Sequence, residues 1–463
     1  MVFSSFIFLF FFLPSVLLGN YLLKNVKKQN IFLLLSSLLF YAWGEGHLVI
    51  LVILSALINF LTGYLIAKFQ NKKLFLIIGI TLNLSLLFYY KYFAFIISNI
   101  NALGIAQLKE VTIILPIGIS FFTFHGLSYI IDIYRNNQLV QKNFSNLLLY
   151  ITFFPQLVAG PIVRYYDVES QLTKRIITFD KVIEGIKRFI IGLAKKVLIA
   201  NVMGALFIKI MNDDIHLLGA GASWLAMIAF ALQVYFDFSG YSDMAIGLAK
   251  MFGFTFLENF NYPFISRSIK EFWQRWHISL SNWFKDYLYI PLGGSRKGKL
   301  VLYRNILIVF FITGLWHGAE WRFIAWGCFN GVFIVLEKMF LEKFLNKQKI
   351  ISHIYFLIVI LISFVFQNIS GMDNVVLYLK NMFFLNNNEN SLLVSHYLSK
   401  EEFLIGLIGI ILNFPIKNYF SLKNPKSTQI LSIFNTMFLM LIFSLSIIYL
   451  ASDTYNPFIY FRF

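Results

Sequence analysis

Long uninterrupted apolar runs constrain this chain more than any other feature. One run extends from Ile430 to Leu450, and similar runs recur along the 463 residues. About 20 consecutive apolar residues cross a bilayer as an α-helix, whereas membrane β-barrels need short alternating segments. A composition of 59% hydrophobic and 13% charged residues also excludes a water-soluble globule. The sequence therefore predicts an all-α, polytopic integral membrane protein with roughly ten to twelve crossings, forming one transmembrane domain over residues 1–463.

Basic residues predict how these crossings are oriented. The net charge is +17, and the Lys and Arg residues concentrate in short loops, which indicates membrane topology and not nucleic-acid binding. Lys24 to Lys28 follow a first apolar span, Met1 to Leu23, so the positive-inside rule places residue 1 outside. Lysines from Lys417 to Lys426 place the last loop in the cytosol and the aromatic tail 451–463 outside.

Two regions should depart from simple spans. Residues 30–68 read as a hairpin around Trp43 to Gly46 that returns to the cytosol. In residues 146–200, helix breakers occur at Phe154–Pro155 and Gly160–Pro161, which predicts a broken helix or a re-entrant loop.

His317, preceded by Trp316, is the most unusual residue of the apolar segments. In a span that begins near Asn305 its imidazole lies roughly 18 Å along the helix, within the hydrocarbon core. An ionisable group at this depth is costly and is a functional candidate, and histidine exchanges protons near neutral pH. Two interpretations stay open, a proton-transfer role and a structural hydrogen bond to a neighbouring helix.

Residues 271–288 have the spacing of one amphipathic helix. Aromatic residues, Trp276 among them, share one face, charged residues such as Arg275 share the other, and His277 lies on the apolar side. Such a helix is typical of the membrane interface, where a buried histidine is either structural or functional. Asp237 and Asp243 add two carboxylates in a membrane segment, as partners of Arg267 or Arg275 or as the lining of a polar cavity.

Five sequence blocks depart from generic membrane segments: Asn261–Pro263, Ser266–Lys270, Phe272–Ser281, Asp286–Gly294 and Gly314–Gly318. Together they resemble the membrane-bound O-acyltransferase (MBOAT) family, in particular its bacterial branch that O-acetylates cell-surface polysaccharides such as alginate and peptidoglycan. The opening residues and the closing Phe458–Phe463 are similar to the same branch, so the resemblance covers essentially the whole chain.

The resemblance implies the MBOAT fold, in which helices enclose a polar tunnel, within a bacterial inner membrane. It implies that His317 is catalytic and that His277 is the second polar residue of the active site. It also implies a cytosolic donor, acetyl-CoA, as a substrate and not as a bound cofactor. The implied partner is a periplasmic acetyltransferase of the serine hydrolase (SGNH) type. With one cysteine, Cys328, in an apolar segment, we predict no disulfide and no metal site.

Acyl transfer gives these residues chemical roles. A base such as His317 would remove the proton of the acceptor hydroxyl, and His277 would donate a hydrogen bond to the thioester carbonyl. Tyr460 is an acyl-carrier candidate, because a deprotonated phenol can form an ester. The resemblance supports this idea, since a partner in the related teichoic acid D-alanylation system ends in a similar tail. The alternative is that Tyr460 only anchors the tail at the interface.

Two further alternatives concern function. A transporter or flippase would use His317, Asp237 and Asp243 as a proton relay and would leave its substrate unmodified. Among acceptors we favour peptidoglycan over alginate. The abundance of Phe, Ile, Lys, Asn and Tyr suggests an AT-rich genome, whereas we associate alginate production with GC-rich genomes.

Overall fold

The computed structural model describes residues 1–385, 392–415 and 425–452, with the side chains of 425–432 left out. In these ranges the regular structure is helical, and β-pairing is limited to one isolated bridge between Leu218 and Leu392. The prediction of an all-α fold is confirmed. Most of the predicted tail, Tyr460 included, lies outside the described residues.

The α-helices are linked by short turns and by several π-helical segments. In chain order they are α1 (Leu13–Leu22), α2 (Val26–Glu45), α3 (Val49–Lys68), α4 (Lys72–Leu87), α5 (Phe93–Ala102), α6 (Ile119–Arg135), α7 (Phe144–Thr152), α8 (Phe154–Leu157), α9 (Tyr165–Val168), α10 (Phe179–Ala194), α11 (Asn201–Met211), α12 (Ala220–Met251), α13 (Ile269–Arg275), α14 (Ile278–Phe284), α15 (Lys299–His317), α16 (Trp321–Leu336), α17 (Glu342–Lys347), α18 (Lys349–Asn368), α19 (Met372–Met382), α20 (Val394–Tyr397), α21 (Lys400–Leu412) and α22 (Pro425–Ser452).

These helices form two compact units. The first unit comprises Met1–Phe189 and Ser242–Glu258, and the second comprises Ile190–Tyr241 and Asn259–Phe463. Helices α10 and α12 each begin in one unit and end in the other. Whether the chain forms a single transmembrane domain, as the sequence suggests, stays a prediction.

Eight helical stretches within the described residues are long and apolar enough to cross a membrane. They are Val26–Lys68, Lys72–Ala102, Phe179–Met211, Ala220–Met251, Lys299–His317, Trp321–Lys347, Lys349–Asn368 and Ile433–Ser452. The 43-residue stretch Val26–Lys68 is interrupted at Gly46, whose φ is +56°, which leaves two 20-residue helices. Since a helix rises ~1.5 Å per residue, each of them is about 30 Å long, enough for one crossing. The polytopic membrane class is confirmed.

The first unit contains the predicted helix break. Helix α7 ends at Thr152, α8 is a single turn, and a mostly buried irregular segment follows before α9. Freed backbone groups in an apolar interior need partners. The Tyr150 hydroxyl donates to the carbonyl of Val163 at 2.8 Å, and the Ser37 hydroxyl accepts from the N–H of Phe154 at 3.2 Å. The broken helix is therefore confirmed, and polar side chains of the same unit pair with two of its backbone groups.

The second unit positions one of the candidate histidines, His317, through one tight helix pair. Helices α15 and α16 cross where Gly314 faces Gly327, and a Cβ on Gly314 would lie 2.4 Å from the carbonyl oxygen of Phe323. Only glycine permits this approach of two backbones. Because α15 ends at His317, the crossing fixes the imidazole against α16.

Candidate active site

His317 ends α15 and is almost fully buried, with 3% of its surface exposed. Gly318 follows in an extended conformation and breaks the helix, and a Cβ at this position would overlap the ring of Phe323. The imidazole packs edge-on against Trp326 of α16, with ring centroids 4.8 Å apart. The helix end and the glycine therefore place the imidazole in a rigid aromatic setting.

His277 lies at a break between α13 and α14, so the prediction of one continuous helix over residues 271–288 is wrong. Its backbone is left-handed, with φ +44° and ψ +52°. The chain segment before α13 causes the break, because the N–H of Ile278 donates to the carbonyl of Asn259 at 2.9 Å. The N–H of Asn261 likewise donates to the carbonyl of Arg275 at 2.9 Å. A non-glycine residue in this conformation is uncommon, and such residues cluster at functional sites.

Asn259 holds the ring of His277 through a small hydrogen-bond network. Its Oδ1 accepts from the N–H of Ser279 at 3.2 Å and from the Ser279 hydroxyl at 2.8 Å, and it lies 3.3 Å from Nδ1 of His277. A backbone N–H can only donate, so this amide atom is the oxygen. The network therefore assigns the proton to Nδ1, and the neutral ring carries its lone pair on Nε2.

A continuous path of aromatic rings connects the two histidines. The ring of His277 lies edge-on to Phe238 with a centroid separation of 4.6 Å, and it lies 6.2 Å from Trp316. The ring of Trp316 is in turn 4.9 Å from that of His317. The sequence could not have paired these residues by spacing, because they are 40 positions apart and on different elements. The structure thus brings together three predicted site residues, His277, Trp316 and His317.

A second layer of contacts fixes Trp326, the ring on the far side of His317. The indole of Trp273 lies 5.6 Å from it and donates to Oδ1 of Asn330 at 3.3 Å. The Asn330 amide then donates to the carbonyl of Trp326 at 2.9 Å. Because these buried polar groups have directional partners, the aromatic wall has one preferred arrangement.

The electrostatic setting keeps His277 neutral. Burial, and second the positive charge that His317 can carry, hold the pKa of His277 well below its ordinary value. Two imidazoles joined by one aromatic path in an apolar interior do not both carry a positive charge. The pair is therefore suited to hold one additional proton at a time.

The predicted carboxylates pair with other cations than the two arginines that the sequence suggested. Asp237 forms a buried ion pair with Lys196 at 2.8 Å. Asp243, in the first unit, binds Arg188 at 2.8 Å. Arg275 instead binds Glu271 at 2.9 Å, one turn earlier in α13. The suggested pairing with Arg267 or Arg275 is wrong, because the fold brings Lys196 and Arg188, which are distant in the sequence, next to these carboxylates.

Two other residues complete the description of the sequence candidates. Trp276 packs in the same unit between Phe260 and Phe272, with centroids 5.1 and 5.2 Å away. It therefore supports the turn that carries His277. Asn259 was missed by sequence reasoning, because an asparagine after a membrane helix has the appearance of an ordinary turn residue. Its only sequence signal is its position next to the block Asn261–Pro263.

Comparison with known proteins identifies the family of the chain. The sequence profile of the membrane-bound O-acyltransferase family matches residues 38–372. The chain is 43% identical to the "Probable alginate O-acetylase AlgI" of Pseudomonas syringae pv. tomato over 349 residues, and this alignment spans 73% of the chain and 66% of that relative. It is 32% identical to the peptidoglycan O-acetyltransferase of Helicobacter pylori, over 100% of the chain and 98% of that protein. It is 34% identical to the teichoic acid D-alanyltransferase of Bacillus subtilis, over 50% and 61%. The chain therefore belongs to the membrane-bound O-acyltransferase family, whose members are polytopic membrane enzymes that transfer acyl groups.

Proposed function

We propose that this enzyme takes acetyl groups from acetyl-CoA at the cytosolic face of a bacterial inner membrane for O-acetylation of a periplasmic polysaccharide. The observation that carries the proposal is the buried pair His277 and His317, held by one aromatic path. Acetyl transfer breaks the C–S bond of the thioester and forms a C–O bond to a hydroxyl. The hydroxyl proton must be removed and returned to the departing thiolate, and an imidazole does both near neutral pH.

Peptidoglycan is the acceptor that we propose, with alginate or another exopolysaccharide as the alternative. Relatives named as a probable alginate O-acetylase and as a peptidoglycan O-acetyltransferase both align over the whole chain, at 35% and 32% identity, so the alignments do not separate the two acceptors. What supports the choice is the composition, rich in Phe, Ile, Lys, Asn and Tyr, because it suggests an AT-rich genome, whereas we associate alginate production with GC-rich genomes. A periplasmic acetyltransferase of the SGNH serine hydrolase type would place the acetyl group on the glycan, because the glycan itself lies outside the membrane. The transporter alternative is not proposed, since acyl transfer is the activity of the family.

His317→Ala tests the proposed chemistry. We expect loss of at least about 10²-fold in base-labile acetate released from purified cell-wall glycan, because the variant lacks a proton-transfer group. Abundance of the protein in the membrane should stay normal. Leu307→Ala, a change at a partly exposed position of the same helix, is the control and should retain acetylation. Wild-type acetate in His317→Ala would contradict the catalytic assignment.

Tyr460 is the residue that we propose as acyl carrier on the outward tail, which lies outside the described residues. Tyr460→Phe removes one oxygen and keeps the ring, so interfacial anchoring is preserved. If the phenol carries the acetyl group, glycan acetylation should fall nearly as far as in His317→Ala. Mass spectrometry should also find an acetylated C-terminal peptide in the wild type and not in the variant. Full acetylation by the phenylalanine variant would exclude the carrier role.

A further inference from the structure

We propose that Glu337 is a positioning residue, whose buried carboxylate fixes the start of α13 and thereby the orientation of His277 toward His317. The role depends on the proposed acetyl transfer, to which it adds a residue outside the buried pair. Glu337 directly follows α16, lies within the membrane-crossing stretch Trp321–Lys347 and is 2% exposed. An ionisable side chain in such a segment is costly and needs a specific partner.

The partner of this carboxylate is the N-terminus of α13. Its Oε1 accepts from the N–H of Ile269 at 2.6 Å, and its Oε2 accepts from the N–H of Lys270 at 3.0 Å. The Tyr355 hydroxyl, from α18, also donates to Oε1 at 3.3 Å. The first N–H groups of a helix have no partner within it, and the helix dipole favours a negative charge beside them. A residue 67 to 68 positions away therefore satisfies the first two donors of α13.

Local sequence supplies the remaining cap of α13 and does not replace Glu337. The Ser268 hydroxyl accepts from the N–H of Glu271 at 3.0 Å, which is the usual N-cap contact. The helix has seven residues, and helices this short are not stable by themselves. The position of α13 therefore depends on its tertiary contacts, of which the bonds to Glu337 fix the beginning.

The face of α16 that leads to Glu337 also contacts the rest of the site. Trp326 packs against His317, and Asn330 accepts from the indole of Trp273 in α13 at 3.3 Å. Positions 326, 330 and 337 are four and seven residues apart, so they share one side of a helix. Asn330 and Glu337 are thus two attachment points for α13, about 10 Å apart along α16. Two points fix the direction of α13 relative to the helix that holds His317.

This direction decides where His277 lies. Helix α13 ends at Arg275, two residues before His277, and the short connection leaves the imidazole little freedom to compensate for a shift of the helix. Displacements near 1 Å are enough to reduce turnover in a preorganised site. Glu337 acts through α13 and not on the reacting atoms, so loss of its carboxylate should lower kcat and leave donor binding intact.

Glu337→Gln and Glu337→Ala test the role in inverted membrane vesicles from the producing cells, in which labelled acetyl-CoA reaches the cytosolic face and the periplasmic components are enclosed. Rates of label transfer to glycan are expressed per folded molecule, counted by gel filtration of the extracted enzyme. Glu337→Ala should lower kcat about 10- to 100-fold, with the KM for acetyl-CoA within about two-fold of wild type. Glutamine keeps one accepting oxygen, so Glu337→Gln should recover part of this loss.

Glu342→Gln is the matched control, because Glu342 also contacts Lys270, through the side chain. Its Oε1 lies 3.2 Å from Nζ of Lys270, and both side chains are well exposed. Exposed ion pairs contribute little, so this variant should keep the wild-type kcat. Wild-type kcat in Glu337→Ala, or an equal loss in Glu342→Gln, would overturn the positioning role.

A double-mutant cycle separates positioning from general stability. If Glu337 acts by orienting His277, Glu337→Ala should cost only a few-fold more when His277→Ala is already present. The same fold-loss in both backgrounds would make Glu337 a structural residue and would overturn the inference. Wild-type vesicles without His317-dependent label in the glycan would instead contradict the proposed function.

Discussion

Two buried histidines, one in each unit, show that burial and chemistry are separate properties. His125 and His277 both have 0% exposed surface. His125 lies inside the unbroken helix α6, with its ring 5.5 Å from that of Tyr150, and its carbonyl accepts from the Ser128 hydroxyl at 2.9 Å. His277 instead lies at a break in the helix, with Asn259 at Nδ1 and a ring path to a second histidine.

The two sites differ in whether the tautomer of the imidazole and its distance to a second polar group are fixed. Removal from water makes any imidazole neutral, and a neutral imidazole in a packed helix contributes mainly shape and one or two hydrogen bonds. Proton transfer requires in addition a defined tautomer and a second polar group at a fixed distance. The second unit supplies both around His277. The ring of Tyr150 and the Ser128 hydroxyl contact His125, and Tyr150 in turn packs against Tyr165, whose ring meets that of Tyr129. Such tyrosine and serine contacts are typical of a structural network.

The largest expected effect comes from matched histidine substitutions. His277→Ala should lower acetyl transfer per folded molecule by about 10²-fold or more, because one of the two imidazoles of the site is lost. His125→Ala should leave that rate within a few-fold and lower the apparent melting temperature instead, since it leaves a cavity. Glycan-bound acetate and thermal unfolding of the detergent-extracted protein measure the two quantities. A His125 variant that melts like the wild type but is inactive would break the comparison.

A glycine pair gives the next largest contrast. Gly314→Ala puts a methyl group 2.4 Å from the Phe323 carbonyl oxygen, a backbone atom that cannot turn away, so α15 must move and carry His317 with it. We expect about 10- to 100-fold lower turnover, because displacements near 1 Å spoil catalytic alignment. Gly126→Ala, beside His125, meets the Asn59 side chain at 2.3 Å and should reduce stability by about 1–3 kcal/mol. The turnover of Gly126→Ala should be unchanged. A loss of turnover equal to that of Gly314→Ala would show that the surroundings of His125 also belong to the active site.

The smallest effect is an acid-dependent loss of stability. The pKa of His277 is lowered in the folded protein by burial and then by His317, whereas an unfolded histidine titrates near 6.5. Below pH ~6.5 the unfolded chain therefore binds a proton at His277 that the folded chain does not bind. Stability from this site is complete above pH ~6.5 and falls by up to about 1.4 kcal/mol per pH unit below it.

His277→Gln is the variant that isolates this contribution. Its apparent melting temperature should decline less steeply between pH 7 and pH 5 than that of the wild type. Parallel declines for the two proteins would mean that His277 is protonated in the folded state at low pH. That result would also weaken the assignment of a locked neutral tautomer.

Much of the membrane architecture follows from local sequence alone. The apolar runs are long enough to dictate helices because the bilayer leaves the backbone no other means of satisfying its hydrogen bonds. The break after Thr152 was equally visible, since Pro155 and Pro161 remove donors that a continuous helix would need. His317 could be singled out by depth, because an ionisable group in an apolar run is costly wherever the helix packs.

The arrangement of the active site was decided by contacts between distant parts of the chain. Periodicity predicted one helix over residues 271–288, but hydrogen bonds from residues 259–261 to Arg275 and Ile278 compete with the helical pattern and break it at His277. The partners of Asp237 and Arg275 also depended on which opposite charges the fold brought within reach. Sequence thus determined which residues must be buried and helical, because those tendencies are local. Only tertiary structure decided which nitrogen of His277 holds the proton, because that depends on a single oxygen of Asn259, 18 positions away.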